Sequence, residues 1–324
     1  MFSLAIFLLI FNFTFILPTA IYGFIIVFLL NFKKFPQIFK SSIFKLIRFP
    51  FLILSFIFLF TTIGWIISGD SSFFEIILTN IIYFITGILC FNIMKDKCFI
   101  DVYCLFFKIF YFQLFFMLCM FLIPSLNDTV NNLIRSDTQL ELLKSYGGVR
   151  GLALSGNLAF GLAVTLSLLY LFLIYFSLKL NFYLKFNLLM FPFVSLFLLS
   201  SGRVNYITIL ICLILFLTNK NSRSLFLYLV VSIIILIYFL LKLNLFFLST
   251  EQFTLFFNFI FQVFINYIDN GSLSSSSLDS LNDSLFLPPE SLLVFGDLIY
   301  TLNDGSNYMY QDMGYIRFVL YFGY

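Results

Sequence analysis

Histidine is absent from the 324 residues of this chain. Its absence excludes histidine as a general acid or base, as a metal ligand and as a haem ligand. The five cysteines have none of the paired spacings of a metal site. We therefore interpret them as small, buried apolar side chains, and we expect no metal and no other cofactor. They are Cys90, Cys98, Cys104, Cys119 and Cys212.

Charged side chains are also scarce. Only 10% of the residues are charged and 62% are hydrophobic, whereas a soluble domain has about 25% charged residues. The apolar runs are continuous over about 20 residues, as in membrane-spanning helices, and lack the alternation of barrel strands. The sequence therefore predicts an all-α polytopic integral membrane protein whose exterior faces the lipid bilayer.

The distribution of charge predicts the orientation of the chain. Residues 31–50 carry five lysines and arginines and no acid, which the positive-inside rule assigns to the cytoplasm. Residues 243–315 carry eight acids and no basic residue, so we expect a large extracytoplasmic loop there. Residues 124–150 form a second, smaller outer loop. Alternation between these loops predicts about eight spanning helices in one membrane domain, 1–324, with the N-terminus outside.

The predicted spans follow the apolar runs. Leu4–Leu30 is too long for the core of a signal peptide and lacks a basic leader and a cleavage site, so it is expected to form one spanning helix. Residues 187–218 are expected to form two crossings joined by a tip at Ser200–Arg203. The remaining predicted spans are 51–67, 73–94, 102–123, 152–178 and 225–241.

The end of the sequence resembles the start of a ninth helix. Residues 318–324 would rise only about 10 Å, a third of a bilayer core about 30 Å thick. We therefore expect the native chain to continue beyond Tyr324. A short apolar tail that rests on neighbouring helices is the alternative.

Three arginines near the predicted outer face have small or polar neighbours. Arg150 lies in the glycine-rich stretch Gly147–Asn157, Arg203 follows two serines and a glycine, and Arg317 follows Asp312 by five positions. A guanidinium binds phosphate oxygens as a fork, and glycine permits close approach of the backbone. The alternatives are helix packing with a snorkelling arginine, an ion pair with an outer acid, and an ion pair at a helix start.

The depth of Arg203 favours a functional role for that residue. Lys185 and Lys220 leave room for two crossings of about 16 residues, or about 24 Å each. This is less than the bilayer core of about 30 Å, so the tip is expected below the outer surface. A charge inside the membrane is costly and marks a functional site by default.

These groups suit transfer of a glycan from a lipid diphosphate. Arginines stabilise the departing diphosphate without a metal, and a carboxylate takes the proton of the accepting hydroxyl. The chain has no P-loop and no nucleophile elbow. Its basic cluster lies beside the membrane, so we expect no nucleic-acid partner.

In their order along the chain, these elements resemble the O-antigen and capsular polysaccharide polymerase family over roughly residues 146–324. The spacing from Arg150 to Gly161, the Gly156–Asn157 pair, the Ser200–Arg203 tip and the Asp312–Arg317 re-entry all match in order. The resemblance implies catalytic roles for Arg150, Arg203, Asp312 and Arg317. It implies substrate-binding roles for Gly151, Gly156, Asn157, Gly161, Ser201, Gly202, Asn205, Gly314 and Tyr315.

By this resemblance the protein is a glycosyltransferase of the bacterial cytoplasmic membrane that joins undecaprenyl-diphosphate-linked oligosaccharides, without metal or nucleotide sugar. A chain-length regulator and a flippase of the same pathway would be its partners. O-antigen ligases share the architecture but are described as using a histidine, which this chain lacks. A flippase, a ligase-type transferase and a membrane acyltransferase are the alternatives.

Overall fold

The structure, a computed structural model, has helices as its regular elements throughout the part that it describes, as predicted. Of residues 42–46 and 160 it describes the backbone alone. The described residues are 1–13, 18–32, 42–135, 140, 152–156, 160–202, 204–219, 228–236, 238, 254, 258, 260–262, 265–269, 271, 296–300 and 320–322.

The structure describes nine helices of ten residues or more. Their bounds are α1 Phe2–Phe11, α2 Thr19–Asn31, α3 Ser42–Ser68, α4 Ser72–Met94, α5 Phe99–Leu122, α6 Pro124–Ile134, α7 Phe160–Leu180, α8 Leu184–Ser201 and α9 Asn205–Thr218. Five stretches in the described residues are long and apolar enough to cross a membrane. They are Ile47–Ser68, Ser72–Met94, Phe99–Leu122, Gly161–Leu180 and Leu184–Ser201. These helices support a multi-pass membrane protein.

The prediction of one continuous helix over Leu4–Leu30 is wrong. α1 ends at Phe11 and α2 begins at Thr19. Asn12 adopts a positive φ of 23°, and its side-chain oxygen accepts a hydrogen bond from the Ala20 amide at 3.0 Å. Asparagine competes in this way with helical backbone bonds. Pro18 lacks an amide hydrogen, which disfavours a helix interior and suits a helix start.

α1 and α2 come into close contact at Gly23. A Cβ atom at Gly23 of α2 would lie 2.9 Å from the Ala5 oxygen and 2.7 Å from Leu9 Cγ of α1. Glycine is therefore the residue that allows the two backbones to approach this closely. We call α1, α2 and their connection the N-terminal hairpin.

The chain divides into two compact units. The first comprises Met1–Ile26 and Asp96–Ile265, and the second comprises Val27–Lys95 and Asn266–Tyr324. In the first unit, α7 packs against α5, α8 and α9. The fully buried ring of Tyr170 on α7 stacks with Phe110 of α5 at 5.4 Å and with Phe191 of α8 at 6.4 Å. These rings form the centre of the first unit.

The second unit is built on the pair α3 and α4. Phe74 of α4 packs against Phe58 and Trp65 of α3, with ring centroids 5.2 and 4.9 Å apart. α3 continues through Pro50 and begins at Ser42, so the predicted cytoplasmic loop 31–50 contains the start of a helix. At a buried asparagine pair, Asn92 of α4 donates to Asn31 Oδ1 of α2 at 3.0 Å.

The remaining predicted spans agree with the helices to different extents. The predicted span 73–94 coincides closely with α4, 102–123 overlaps most of α5, and 51–67 lies inside α3, which begins earlier, at Ser42. The structure has two helices, α8 and α9, where two crossings were predicted over 187–218; α8 is long enough to cross a membrane, whereas α9 has 14 residues. The predicted span 152–178 begins later, at Phe160, because residues 152–156 are not helical. Residues 228–236 and 320–322 are helical, within the predicted span 225–241 and the predicted ninth helix.

Candidate functional site

The tip between α8 and α9 is polar and buried. Ser200 and Asn205 are fully buried, and Ser201 is 1% exposed. The Asn205 amide nitrogen donates to the carbonyl oxygens of Leu198 at 2.7 Å and Gly202 at 3.1 Å. The Leu198 oxygen also accepts from the Gly202 amide at 3.2 Å, so Asn205 adds side-chain bonds to the backbone bond that closes the end of α8.

The serine hydroxyls of the tip are used in the same way. Ser200 donates to the Phe197 oxygen at 2.8 Å, and Ser201 donates to the Leu198 oxygen at 2.7 Å. The hydroxyl of Ser167 on α7 donates to Asn205 Oδ1. Three helices are thereby joined at the tip. Ser201 and Asn205 were predicted to bind substrate, but their side chains form hydrogen bonds to the backbone of the tip.

The segment Leu152–Gly156 lies against the N-terminal hairpin. The Gly156 amide donates to the Phe11 oxygen at 3.0 Å. A Cβ atom at position 156 would overlap the Asn12 oxygen and lie 3.0 Å from the Phe13 Cα atom. Position 156 therefore requires glycine, because no other residue permits this backbone contact.

A buried arginine that the sequence analysis missed contacts the same segment. Arg135, directly after α6, is 7% exposed, and its Nη2 donates to the Ala153 oxygen at 3.4 Å. Burial lowers the pKa of the Arg135 guanidinium to about 10, so it remains a cation at neutral pH. The sequence signal was the apolar spacing of Val130 and Ile134, which turns one face of α6 inward.

Two predicted site residues, Gly161 and Asn205, are connected through α7. Gly161 lies in the exposed first turn of α7, and Ser167, two turns further along the same helix, bonds Asn205. The stretch that follows Arg150 is thus connected to the α8–α9 tip through α7. Eight predicted site residues lie outside the described part of the chain. They are Arg150, Gly151, Asn157, Arg203, Asp312, Gly314, Tyr315 and Arg317.

In the second unit, Asp70, an acid that the sequence did not single out, binds residues 296–300, which belong to the predicted acidic outer loop 243–315. Asp70, between α3 and α4, accepts hydrogen bonds from the Ser72 amide at 2.9 Å and from the Tyr300 amide at 2.6 Å. A carboxylate is favourable before a helix. The same turn therefore begins α4 and fixes residues 296–300.

Residues on both sides of the predicted Asp312–Arg317 element meet in this unit. The Asp297 amide donates to the Leu320 oxygen at 3.0 Å. The buried ring of Tyr321 packs against Phe73 at 4.5 Å and against Tyr300 at 6.3 Å. These contacts hold residues 296–300 beside residues 320–322 at the start of α4.

Among the described residues, no group of three or more histidine, cysteine, aspartate or glutamate side chains is arranged to hold a metal. All five cysteines are free. Cys90 and Cys212 are buried, as expected of small apolar side chains, whereas Cys98 is exposed. The interpretation of Cys98 as a buried side chain is therefore wrong, because it lies in the connection between α4 and α5.

Comparison of the chain with protein-family models, with curated proteins and with solved structures finds no match.

Proposed function

We propose that this protein polymerises undecaprenyl-diphosphate-linked oligosaccharide units into O-antigen or capsular polysaccharide on the outer face of the bacterial cytoplasmic membrane. The observation that supports this most is the buried polar tip between α8 and α9, where Arg203 stands between Gly202 and Val204. We expect a guanidinium at such a tip to be poorly hydrated, and its attraction for a diphosphate is then strong.

The proposed topology gives the two ends of the bundle different roles. Residues 31–50 face the cytoplasm, and residues 124–150 and 243–315 lie outside. Arg150 and the α8–α9 tip are then on the outer side of the membrane. Lipid-linked units presented on that side of the membrane would meet the arginines directly.

The proposed reaction needs neither a metal nor a nucleotide sugar. A hydroxyl at the non-reducing end of one glycan attacks the anomeric carbon of another, and the bond from that carbon to the diphosphate oxygen breaks. Arg150 and Arg203 neutralise the charge that develops on the departing lipid diphosphate. By the family resemblance, Arg317 also binds a diphosphate, and Asp312 contacts a sugar and accepts the hydroxyl proton.

A specific observation disfavours the flippase alternative. A flippase for a charged lipid headgroup is expected to expose charged side chains at mid-membrane. In the described candidate spans, Arg48, Glu75, Asp101, Lys179 and Lys185 lie within four residues of an end of their span, and Lys108, ten residues into α5, is the exception. The buried Arg135 lies outside these spans, beyond the end of α5 and after the amphipathic helix α6. The ligase alternative lacks the histidine on which such enzymes depend.

The test is an assay with purified components. The full-length protein is reconstituted into liposomes with lipid-linked oligosaccharide units, and the products are separated by size in the presence of EDTA. A ladder of longer lipid-linked glycans is expected. Movement of fluorescent lipid-linked units between leaflets, without any change in their length, would instead identify a flippase and contradict the proposal.

A further inference from the structure

The helices of the N-terminal hairpin are too short to cross a membrane. α1 has 10 residues and α2 has 13, so they extend about 15 and about 20 Å at the helical rise. The hydrocarbon core of a bilayer is about 30 Å thick. An apolar hairpin of this size either lies at the membrane surface or enters and leaves the membrane on one side.

Both ends of the hairpin lie at the same connection of the chain. At the start of α1, the Phe2 ring lies beneath the Lys97 ammonium, 5.2 Å from the ring centroid. At the end of α2, Asn31 donates to the Leu89 oxygen at 3.2 Å and accepts from Asn92. Lys97 and Asn92 flank the short connection from α4 to α5, which can lie on only one side of a membrane.

The other end of the hairpin is a compact polar turn. Thr19 Oγ1 accepts from the Phe13 amide at 2.9 Å and donates to the Leu8 oxygen at 3.3 Å. The Asn12 side chain accepts from the Ala20 amide at 3.0 Å. Irregular backbone is tolerated at membrane depth where its polar groups are satisfied and enclosed by protein. Thr19 is 4% exposed and its hydroxyl both accepts and donates a hydrogen bond, so this polar group meets the condition.

The turn contacts the segment that follows the first arginine element. The Gly156 amide donates to Phe11, and the approach to Asn12 leaves no room for a side chain at position 156. Gly156 belongs to the segment between α6 and α7, and α6 follows the end of α5 that is opposite Lys97. The hairpin therefore extends from the Lys97 end of the bundle towards the end where Arg150 is expected.

We propose that α1 and α2 form a re-entrant hairpin that enters and leaves the membrane at the cytoplasmic side, and that its polar turn supports Leu152–Gly156 from within the membrane. Asn12, Thr19 and Gly156 are then positioning residues for the arginine element at position 150. This positioning role rests on the proposed function, whereas the topology does not. The hairpin replaces the first predicted crossing and places the start of α1 inside rather than outside.

Cysteine labelling tests the topology. Ser3, which is exposed in α1, is replaced by cysteine in a Cys98→Ser background, and a membrane-impermeant maleimide is applied to spheroplasts and to inverted vesicles. Cys98 of the unmodified chain and a Ser125→Cys variant serve as references, because they lie at the two ends of α5. The Cys98→Ser chain alone measures background labelling.

The proposal predicts that Ser3→Cys reacts in inverted vesicles and is protected in spheroplasts, as Cys98 is. Labelling of Ser3→Cys in spheroplasts, with the same pattern as Ser125→Cys, would overturn the re-entrant topology. Neither result depends on the activity of the protein. A failure of the hairpin proposal is therefore distinguishable from a failure of the proposed polymerase function.

Glycine and threonine variants test the positioning role. Gly156→Ala is compared with Gly87→Ala, because a Cβ atom at Gly87 would have no neighbour within 4 Å. We expect Gly156→Ala to lose at least tenfold in polymer yield while its labelling pattern is unchanged, and Gly87→Ala to keep full yield. Thr19→Val should lose yield, and Thr19→Ser, which retains the hydroxyl, should restore it. Equal yields from the two glycine variants would contradict the positioning role.

Discussion

Asn205 begins α9, and its side-chain amide donates a hydrogen bond of 2.7 Å to the carbonyl oxygen of Leu198 in the last turn of α8. One side chain thus binds the end of one helix and starts the next. The Ser167 hydroxyl adds α7 to the same junction. The proposed diphosphate site depends on this junction, because Arg203 lies within the connection that it holds.

Replacement of Asn205 by alanine is expected to destabilise the first unit. The Leu198 and Gly202 carbonyls keep their backbone donors in this variant, but the buried Ser167 hydroxyl loses its acceptor, Asn205 Oδ1, a loss of about 1–3 kcal/mol. Thr218→Ala is the matched control, because Thr218 is exposed at the other end of α9 and bonds only within its own helix. Thermal unfolding in detergent should show a lower Tm for Asn205→Ala than for Thr218→Ala. Equal values would contradict the role assigned to Asn205.

Two buried amides in the spans should respond in opposite directions. Gln113 of α5 is fully buried, and its side-chain nitrogen and oxygen have no hydrogen-bond partner in the described structure. Asn187 of α8 is equally buried but accepts from the Tyr111 hydroxyl at 2.8 Å and donates to the Tyr103 oxygen at 3.1 Å. Unpaired buried polar groups cost about 1–3 kcal/mol.

We therefore expect Gln113→Met to raise the Tm and Asn187→Leu to lower it, as measured by thermal unfolding in the same detergent. Methionine is close to glutamine in size and carries no amide, so its substitution removes the desolvation cost without leaving a cavity. A fall in Tm for Gln113→Met would show that the glutamine amide contributes a stabilising interaction.

A double-substitution cycle tests the packing of the second unit. A Cβ atom at Gly64 of α3 would overlap the Tyr321 hydroxyl oxygen, and this hydroxyl is buried without a hydrogen-bond partner among the described residues. Gly64→Ala should therefore cost about 1–3 kcal/mol through overpacking. Tyr321→Phe removes the clashing oxygen, so it should restore most of the stability lost in Gly64→Ala. Additive effects of the two changes, measured by thermal unfolding, would contradict this contact.

The long helices could be predicted from the sequence, and the break in the first apolar run could not be predicted from hydropathy. α3, α4 and α5 coincide with apolar runs of membrane length, and little else is needed to specify them. Hydropathy averaged over Leu4–Leu30 conceals the turn between Asn12 and Pro18. Those two residues carried the local signal for the break.

The burial of the site residues could not be predicted, because it depends on contacts between distant parts of the chain. The glycine at position 156 indicated a close approach, but the sequence did not show that the N-terminal hairpin is the partner. Arg135 lay in a segment expected to be a polar outer loop, and its burial follows from the packing of α6 against α5. Asp70 likewise acquires its role from Tyr300, which is 230 positions away.

The most direct test of the central claim is the surface glycan made by a deletion strain that carries Arg203→Ala. Arg48→Ala is the matched control, because Arg48 is an exposed arginine in the inner half of α3. With both variants present at equal levels in the membrane, we predict that Arg203→Ala leaves single repeat units and no long chains on a gel, whereas Arg48→Ala gives the full ladder. A full ladder from Arg203→Ala would contradict the account.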